Sequence, residues 1–337
     1  MATTIKDIAQ RLNLSISTVS YALNGGPKPV SREVHRRVQN AAREMGYRPN
    51  RIAKSLVTRR TRTIGIVPVD LNADLLLTPC EHLTLNGAFN AAAKLGHDVL
   101  VFTAHDRNIQ DDVIDDMMDG RVDGVVFIGP RRESPALQHI GNGNMPYAIL
   151  LTDNGVGPSY VVDNERGTLL AMEHLWSLGH RNIAHVTGNF ALADANIRRD
   201  AYRQFMVSKT GSFDPRLEIG GDYHRESGYE AGRSFPRMPH PPTAFFCAND
   251  DMAFGLIEGL RAVGVDVPEQ VSVVGFDDAP VAPYFHPPLT TVRQPLALMA
   301  SEAMLAVIQE IDEAVRAQGR MYEPELIVRN STAPVQR

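Results

Sequence analysis

Short apolar runs alternate with helical stretches along most of this chain, and that alternation limits its fold more than any other feature. Strands are predicted over 63–69, 98–103, 123–128 and 146–151, then over 182–186, 244–247 and 271–276. Helical stretches at 86–95, 167–178, 195–208 and 250–263 lie between them. Leu95-Gly96-His97 and Leu178-Gly179-His180 each close a helix just before a strand, so the pattern repeats and two similar halves are expected. Strand–helix alternation builds mostly parallel sheets with helices on both faces. Toward the end, 294–318 reads as a helix with Leu298, Leu305 and Ile308 on one face, and 325–328 as a last strand.

The first 48 residues follow a different rule. Ile5, Ile8, Ala9 and Leu12 fall on one helical face, and Thr4 with Asp7 forms a capping box at its start. Asn13 stands where the chain must turn, a place for a left-handed backbone. Ser15 caps a second helix with Val19 and Leu23 inward, and Asn24-Gly25-Gly26-Pro27 ends it. Ser31 caps a third, with Val34, Val38, Ala41 and Met45 at helical spacing, stopped by Gly46 and Pro49. Helix, short turn, helix, loop, helix is a helix-turn-helix layout, whose second helix enters the DNA major groove. Its outward residues are Ile16, Ser17 and Tyr21, an apolar group suited to a thymine methyl and two hydroxyls suited to base edges or phosphates. Thr18, Ser20 and Asn24 fit phosphate contacts.

Charge agrees with that layout. Residues 1–62 hold thirteen Lys and Arg against three acids, and the rest holds 21 against 36, so a head of +10 precedes a body of −15. A solvated basic face on a small helical domain is the plainer reading, and this excess favours a polyanion partner over it. The apolar runs are too short for a bilayer and no apolar signal core opens the chain, so no membrane association is expected and a cytoplasmic location is. Cys80 and Cys247 cannot build a disulfide framework, and Cys247 in TAFFCAN reads as an inert buried thiol. The histidines form no HExxH pair or Cys/His cluster; His35 and His240 read as surface residues, and His174, His180 and His185 as locally hydrogen-bonded. GxSxG is absent and no GxGxxG follows the first strand, so no metal, cofactor or enzymatic activity is expected.

Between head and body, PNRIAKSLV is basic and long enough for about two helical turns, too short to be stable alone. It reads either as a plain linker or as a segment that folds against DNA, with Leu56 as an apolar wedge at a minor-groove step.

Together, TIKDIAQRLNLSISTVSYALNG, VS and GYRPNRIAKSL strongly resemble the lactose-repressor (LacI/GalR) family of bacterial transcription regulators. The resemblance continues through IGIVPVD, HLWSLGHRNIAHVTG, FFCANDDMAFG, VSVVGFDD, PPLTTVRQP and ELIVRNST, in order and over essentially the whole chain. It implies a small all-α helix-turn-helix head (1–48), a hinge helix (49–61) and a periplasmic-binding-protein-like α/β body (62–337). The body's parallel-sheet lobes would take about 62–161 plus 292–320, and 162–291 plus 321–330. It implies base reading by Ile16, Ser17 and Tyr21, and a lever role for Leu56, inserted with its dimer mate at the operator centre. Thr4, Asn50, Ala53 and Lys54 complete the expected DNA contacts. Tyr21 stands where the family often has Arg, so operator bases do not transfer from a relative.

Ligands of open parallel sheets bind at the carboxyl ends of the strands. Asp70, Asn249, Asp250, Asp277 and Asp278 follow strands directly, while Arg198 opens a helix and Tyr223 sits in GGDYHRESG. Carboxylates, an amide, a guanidinium and an aromatic ring suit a sugar's hydroxyls and apolar face. Spacing alone leaves structural readings open: a packing role for Tyr223, an ion pair of Arg198 with Asp200 or Asp194, a turn for Asp278. Asp250 reads as the cap of ANDDMAFGL rather than a ligand contact. The resemblance implies that Arg198, Tyr223, Asn249 and Asp277 hold effector-binding positions, and Asp70 joins them as an expected contact. Ala201 departs from the Gly usual after the effector arginine, and the loop expected over 71–83 lacks a clear family counterpart.

The expected protein is thus a regulator, a repressor in the favoured reading, that binds a palindromic double-stranded DNA operator as a homodimer under control of a small-molecule effector, a sugar. Release of DNA by the sugar is favoured, and co-repression is the alternative within the family. No leucine heptads follow Asn330, which points to a dimer rather than a tetramer. A transporter's solute-binding protein shares such a body but calls for an export signal and no DNA-binding head. A sugar-metabolising enzyme calls for an acid/base pair on the cleft, for which Asp277 and Asp250 are the candidates.

Overall fold

The structure, a computed structural model, describes residues 3–24, 29–48, 55, 58, 60–68, 79–102, 119–130, 134–141, 143–153 and 155–336. The chain separates into two compact units, Met1–Thr61 and Arg62–Arg337.

In the first unit, α1 (Ile5–Leu12), α2 (Ile16–Asn24) and α3 (Arg32–Glu44) surround a core of Ile8, Ala9, Val19, Ala22, Val38 and Ala41. The Thr4–Asp7 capping box forms reciprocally, and Asn13 takes the left-handed conformation (φ 53, ψ 47) that turns α1 toward α2. Ser15 Oγ accepts from the Thr18 amide at 3.0 Å, and Ser31 Oγ caps α3 through the Val34 amide at 3.3 Å. Thr3 Oγ1, donating to the Met45 carbonyl at 2.7 Å, ties the start of α1 to the end of α3.

The second unit holds two six-stranded sheets. The first comprises β1 (Thr63–Pro68), β2 (Asp98–Val101), β3 (Gly124–Ile128), β4 (Tyr147–Leu150), β5 (Ser159–Val162) and β11 (Arg320–Tyr322), in the order β11-β5-β4-β3-β1-β2, all parallel. The second comprises β6 (Ile183–Val186), β7 (Glu218–Ile219), β8 (Ala244–Cys247), β9 (Ser272–Asp277), β10 (Thr290–Arg293) and β12 (Glu325–Ile327), in the order β12-β10-β9-β8-β6-β7, parallel except for β12. Both sheets therefore share one strand order, as two similar halves require. In each, the order reverses between its first and third strands in the chain, β1/β3 and β6/β8, which is where doubly wound sheets open a binding crevice.

Helices cover the sheets. In the first lobe α4 (Pro79–Lys94) and α10 (Leu296–Glu313) pack on the sheet, burying Ile64, Ile66, Ala88, Met299, Met304 and Val307. In the second, α6 (Asn164–Ser177) and α7 (Ala193–Thr210) cover one face, and α8 (Arg225–Ser234) with α9 (Asp250–Ala262) the other. The short α5 (Pro135–Gly141) completes the first lobe through Leu137 and Ile140. Helices α8 and α9 touch backbone to backbone: a Cβ on Gly228 would sit 2.0 Å from the Met252 carbonyl oxygen, and one on Gly255 2.0 Å from that of Arg225. The chain crosses between the sheets three times, after β5, between β10 and α10, and between β11 and β12.

Several expectations need correction. Helix α4 starts at Pro79 rather than near 86, because proline is preorganised for a first helical turn; the expected loop over 71–83 is helical from there, and 71–78 lie outside the described residues. The helix expected over 294–318 runs only from Leu296 to Glu313, closed by Ala314 in the left-handed conformation. Asp250 is not the cap of α9: Asn249 is, with extended backbone and its side chain accepting from the Met252 amide. Asp250 is instead fully buried, accepting from Thr291 Oγ1 at 2.5 Å and from the Ala279 amide at 2.7 Å. Asp278 pairs with Arg293 and Arg329 at 2.7 and 2.6 Å.

Candidate functional site

A cavity of about 300 Å³ opens between the lobes at the carboxyl ends of the strands. Its size suits a small ligand. From the first lobe, Ile128 and Gly129 arrive at the end of β3, Leu151 just past β4, and Cys80 from the first turn of α4. From the second, Asn189 follows β6, Asn249 follows β8, Asp277 ends β9 and Gln294 follows β10. Asp222 and Tyr223 follow β7, and Asp194 and Arg198 come from the first turns of α7.

Arg198 is 3% exposed. Its Nε donates to Asn164 Oδ1 at 2.8 Å, its Nη1 donates to the Ala248 carbonyl, and its Nη2 lies 3.8 Å from Asp194 Oδ2. Its guanidinium plane sits 3.7 Å above the Phe276 ring. These four partners fix the side chain against the wall, so a ligand meets a preset donor. The open ion-pair alternative for Arg198 is settled in part: Asp194 is its neighbour, whereas Asp200 pairs with Arg199.

Tyr223 donates from Oη to Asp194 Oδ2 at 2.6 Å. Its ring lies so close to Gly188 that a Cβ there would meet Tyr223 Cζ at 2.2 Å, so a glycine is required. Burial first, then Asp194, pushes the phenol well above its ordinary pKa. Asn249 caps α9 and donates from Nδ2 to the Tyr223 carbonyl at 2.8 Å, bracing the loop that carries the ring. Asp277 is 5% exposed and accepts from Gln294 Nε2 at 2.6 Å. Burial and the neighbouring Asp250 raise its carboxyl well above the ordinary range, with Arg198 opposing. Burial likewise raises Asp250 to about 6.

Leu151 (φ 71), Tyr223 (φ 77) and Asp277 (φ 132) all have positive φ, which is costly for side chains of this size. Such strain gathers where the surroundings hold a site in a preset shape. Four of the five expected effector contacts, Arg198, Tyr223, Asn249 and Asp277, thus line one cavity. Asp70 lies outside the described residues. Asp194, Asn189, Gln294 and Leu151 were missed. Ala201 is buried on α7, beyond the described cavity lining.

On the head, Ile16 is 54% exposed, a large apolar side chain left in solvent at the start of α2. Ser17 and Asn24 are exposed, and Thr18, Ser20 and Tyr21 are half-buried. Ser15 Oγ holds the Ser17 and Thr18 hydroxyls at 3.0 and 2.7 Å. Thr4 is exposed, with its hydroxyl engaged by Asp7 in the cap. Asn50, Ala53, Lys54 and Leu56 lie outside the described residues.

His180 bonds to Thr243 and Ser272 and His174 to Thr332, each at 3.0 Å, while His35 and His240 are exposed. Cys247 is fully buried and its thiol pKa is raised by burial. Among the described residues no cluster of His, Cys, Asp or Glu is arranged to hold a metal ion, and no helix is long and apolar enough to cross a membrane.

Residues 4–50 match the family of bacterial regulatory proteins described as lacI, and residues 172–332 match the periplasmic binding protein-like domain. The chain is 30% identical over 336 residues to the HTH-type transcriptional repressor CytR of Escherichia coli (strain K12), covering 98% of this chain and 96% of CytR. It is 33% identical to the HTH-type transcriptional regulator CelR of Thermobifida fusca, covering 97% and 98%. Among solved structures, a transcriptional regulator CelR–cellobiose complex superposes with a TM-score of 0.74 at 30% identity, covering 98% of this chain and 99% of that one. The lac repressor dimer bound to operator and the anti-inducer ONPF superposes with a TM-score of 0.87 at 25% identity, covering 99% and 100%.

Proposed function

This chain belongs to the LacI family of bacterial transcription regulators, and we propose that it is a cytoplasmic repressor that binds a palindromic operator as a homodimer and releases it when a sugar enters the interlobe cavity. The family's members are DNA-binding regulators rather than enzymes. The observation that carries the effector reading is the cavity itself: a fixed guanidinium, carboxylates, amides and an aromatic ring converge at the switch points of both sheets. A relative in complex with cellobiose supports a sugar as the ligand class. A relative captured as a dimer on its operator supports the DNA-bound dimer.

In this reading α2 lies in the major groove with Ile16, Ser17 and Tyr21 at base edges, and Thr18, Ser20, Asn24 and Thr4 against phosphates. Asn50, Ala53, Lys54 and Leu56 contact the minor groove from the hinge, with Leu56 as the wedge. Asp70, Arg198, Tyr223, Asn249 and Asp277 hold the effector. A ligand preferring one arrangement of the lobes shifts the population of dimers able to fold the hinge on DNA.

The deciding experiment selects an operator from random DNA and repeats the selection with a panel of sugars. Operator half-sites related by two-fold symmetry and loss of binding with one sugar are expected. A tightened complex instead would make the sugar a co-repressor. Leu56→Ala tests the hinge separately: it should weaken operator binding about ten-fold or more while sugar affinity stays unchanged, and wild-type operator affinity would sink the wedge assignment.

A further inference from the structure

The positive charge of the head does not sit on the helix proposed to read DNA. Helix α2, ISTVSYALN, holds no charged side chain, and the phosphate contacts proposed for the head, Thr4, Thr18, Ser20 and Asn24, are neutral as well. Helix α3 is the reverse. Arg32, Arg36, Gln39 and Arg43 recur at i, i+4, i+7 and i+11, which places them in one stripe, and all four are exposed. Val38, Ala41 and Ala42 turn the other side of α3 into the core that it shares with α1 and α2. The reading face of α2 and the stripe of α3 thus leave one core outward from different helices, and a straight duplex lying along the first does not lie along the second.

Helix stability does not account for the stripe. Arg32 stands in the first turn, where the helix dipole disfavours a cation. Arg32 and Arg36 are four residues apart, a spacing at which like charges repel. Among the described residues no ion pair or side-chain hydrogen bond engages Arg32, Arg36 or Arg43. Glu33 and Glu44 lie on the neighbouring face, and Glu44 is taken by Arg11.

We propose that the outward face of α3 is a second polyanion surface, which holds a second DNA duplex while α2 holds the operator, so that the bound protein bridges two DNA segments. The proposal rests on the reading of the head as the operator-binding module and adds a surface to it. Arg32 to Arg43 span about 16 Å of helix, a length over which a duplex presents about ten phosphates. A line of guanidinium groups matches a linear, evenly charged polymer better than the scattered carboxylates of a protein face, and each guanidinium can hold a phosphate through two hydrogen bonds. Gln39 supplies a neutral donor within the line. Exposure does not weaken the attraction, because its source is the release of counterions from the duplex rather than a desolvated ion pair.

The full-length protein is loaded on beads carrying its selected operator, and a fluorescent duplex of about 30 base pairs without operator sequence is added at 50 mM salt. Protein held on the beads reports on the operator reading, and the second duplex held by that protein reports on the stripe. We expect retention well above that of bare operator beads, with an affinity that falls about 40-fold between 50 and 200 mM salt, as three phosphates per stripe require. Arg32→Gln, Arg36→Gln and Arg43→Gln together should lower that affinity at least about ten-fold, and Arg32→Lys, Arg36→Lys and Arg43→Lys together should largely keep it. Operator affinity of the glutamine variant at 150 mM salt should stay within about three-fold of the wild type, since charges more than a Debye length from the operator are screened. A larger fall would put the three arginines on the operator's own phosphates and overturn the proposal. Retention no greater than on bare beads, retention untouched by the glutamine variant, a lysine variant as poor as the glutamine one, or a preference for labelled polyglutamate over duplex would each overturn it too. Should no operator be found, energy transfer between two differently labelled non-operator duplexes still decides: the wild-type protein should bring them together and the glutamine variant should not, and equal transfer by both would sink the stripe.

Discussion

At the residue scale, Arg198 shows how a binding group is held ready. Its hydrogen bonds, its carboxylate neighbour and its seat over Phe276 leave it few conformations to lose when a ligand arrives. Arg198→Ala should weaken the effector about 100-fold, the cost of removing a buried charge-assisted donor and leaving its partners unpaired. Operator affinity without effector should change little; titrations of sugar into the protein, with and without operator, measure both, and an undiminished sugar response would refute the assignment. His185 carries a second prediction. It is fully buried, donates from Nδ1 to the Phe246 carbonyl at 3.0 Å, and its Nε2 is the one buried side-chain nitrogen or oxygen without a partner among the described residues. Burial lowers its pKa from 6.5 to about 4. The unfolded chain therefore takes up a proton before the folded one does, and stability falls as pH drops from about 6.5 toward 4. Asp250, raised by burial to about 6, works with the opposite sign over the same window. The His185 contribution is isolated by comparing the chain with His185→Phe. Between pH 7 and 5 the unmodified protein should lose about 2 kcal/mol more than the variant in denaturant unfolding. Parallel pH profiles would remove the assignment.

At the element scale, the close contact of α8 and α9 depends on glycines. Gly228→Ala drives a methyl into the Met252 carbonyl. It should force the helices apart and cost roughly 1–3 kcal/mol in denaturant unfolding, with DNA binding by the folded protein retained. An unchanged unfolding midpoint would show that the helices have room to move. The same contact explains why α8 was not legible in the sequence. Its inner face is Gly228, Ala231 and Gly232, so the apolar stripe that marks a surface helix is replaced by small residues. The helices of the head were legible because caps and apolar spacing agree at each of them. Of strands β5, β7, β10, β11 and β12 only β12 was anticipated, and β7 and β11, two and three residues long, are too short to carry any periodicity. Missing β10 hid Gln294, which follows it into the cavity. Asn249 and Asp277 were found because each comes at or just after an apolar run read as a strand, TAFFCA and VSVVGF. Leu151 was passed over because an apolar residue after a strand carries no chemical signal. Asp194 was visible only as a possible partner for Arg198.

At the scale of the whole molecule, a head of +10 and a body of −15 predict operator binding that weakens steeply with salt. With about six to ten phosphate contacts per dimer, affinity should fall by roughly 10³–10⁵ between 50 and 200 mM salt. Fluorescence anisotropy on a labelled operator gives the slope, and a flat dependence would contradict phosphate-led binding by the head.

The three crossings between the sheets bear on how the protein is made. Met299, Met304, Val307 and Tyr322 belong to the same core as Ile64 and Val126. A ribosome delivers the latter two long before the former four. The first lobe begins to emerge first yet cannot close its core until nearly all of the second has been synthesised. Its sheet waits through that interval with apolar surface uncovered, the condition under which nascent chains aggregate. A gene fragment ending after β5 would keep that exposure permanently. The lobe that appears first in the sequence is therefore the one most dependent on the last part of it.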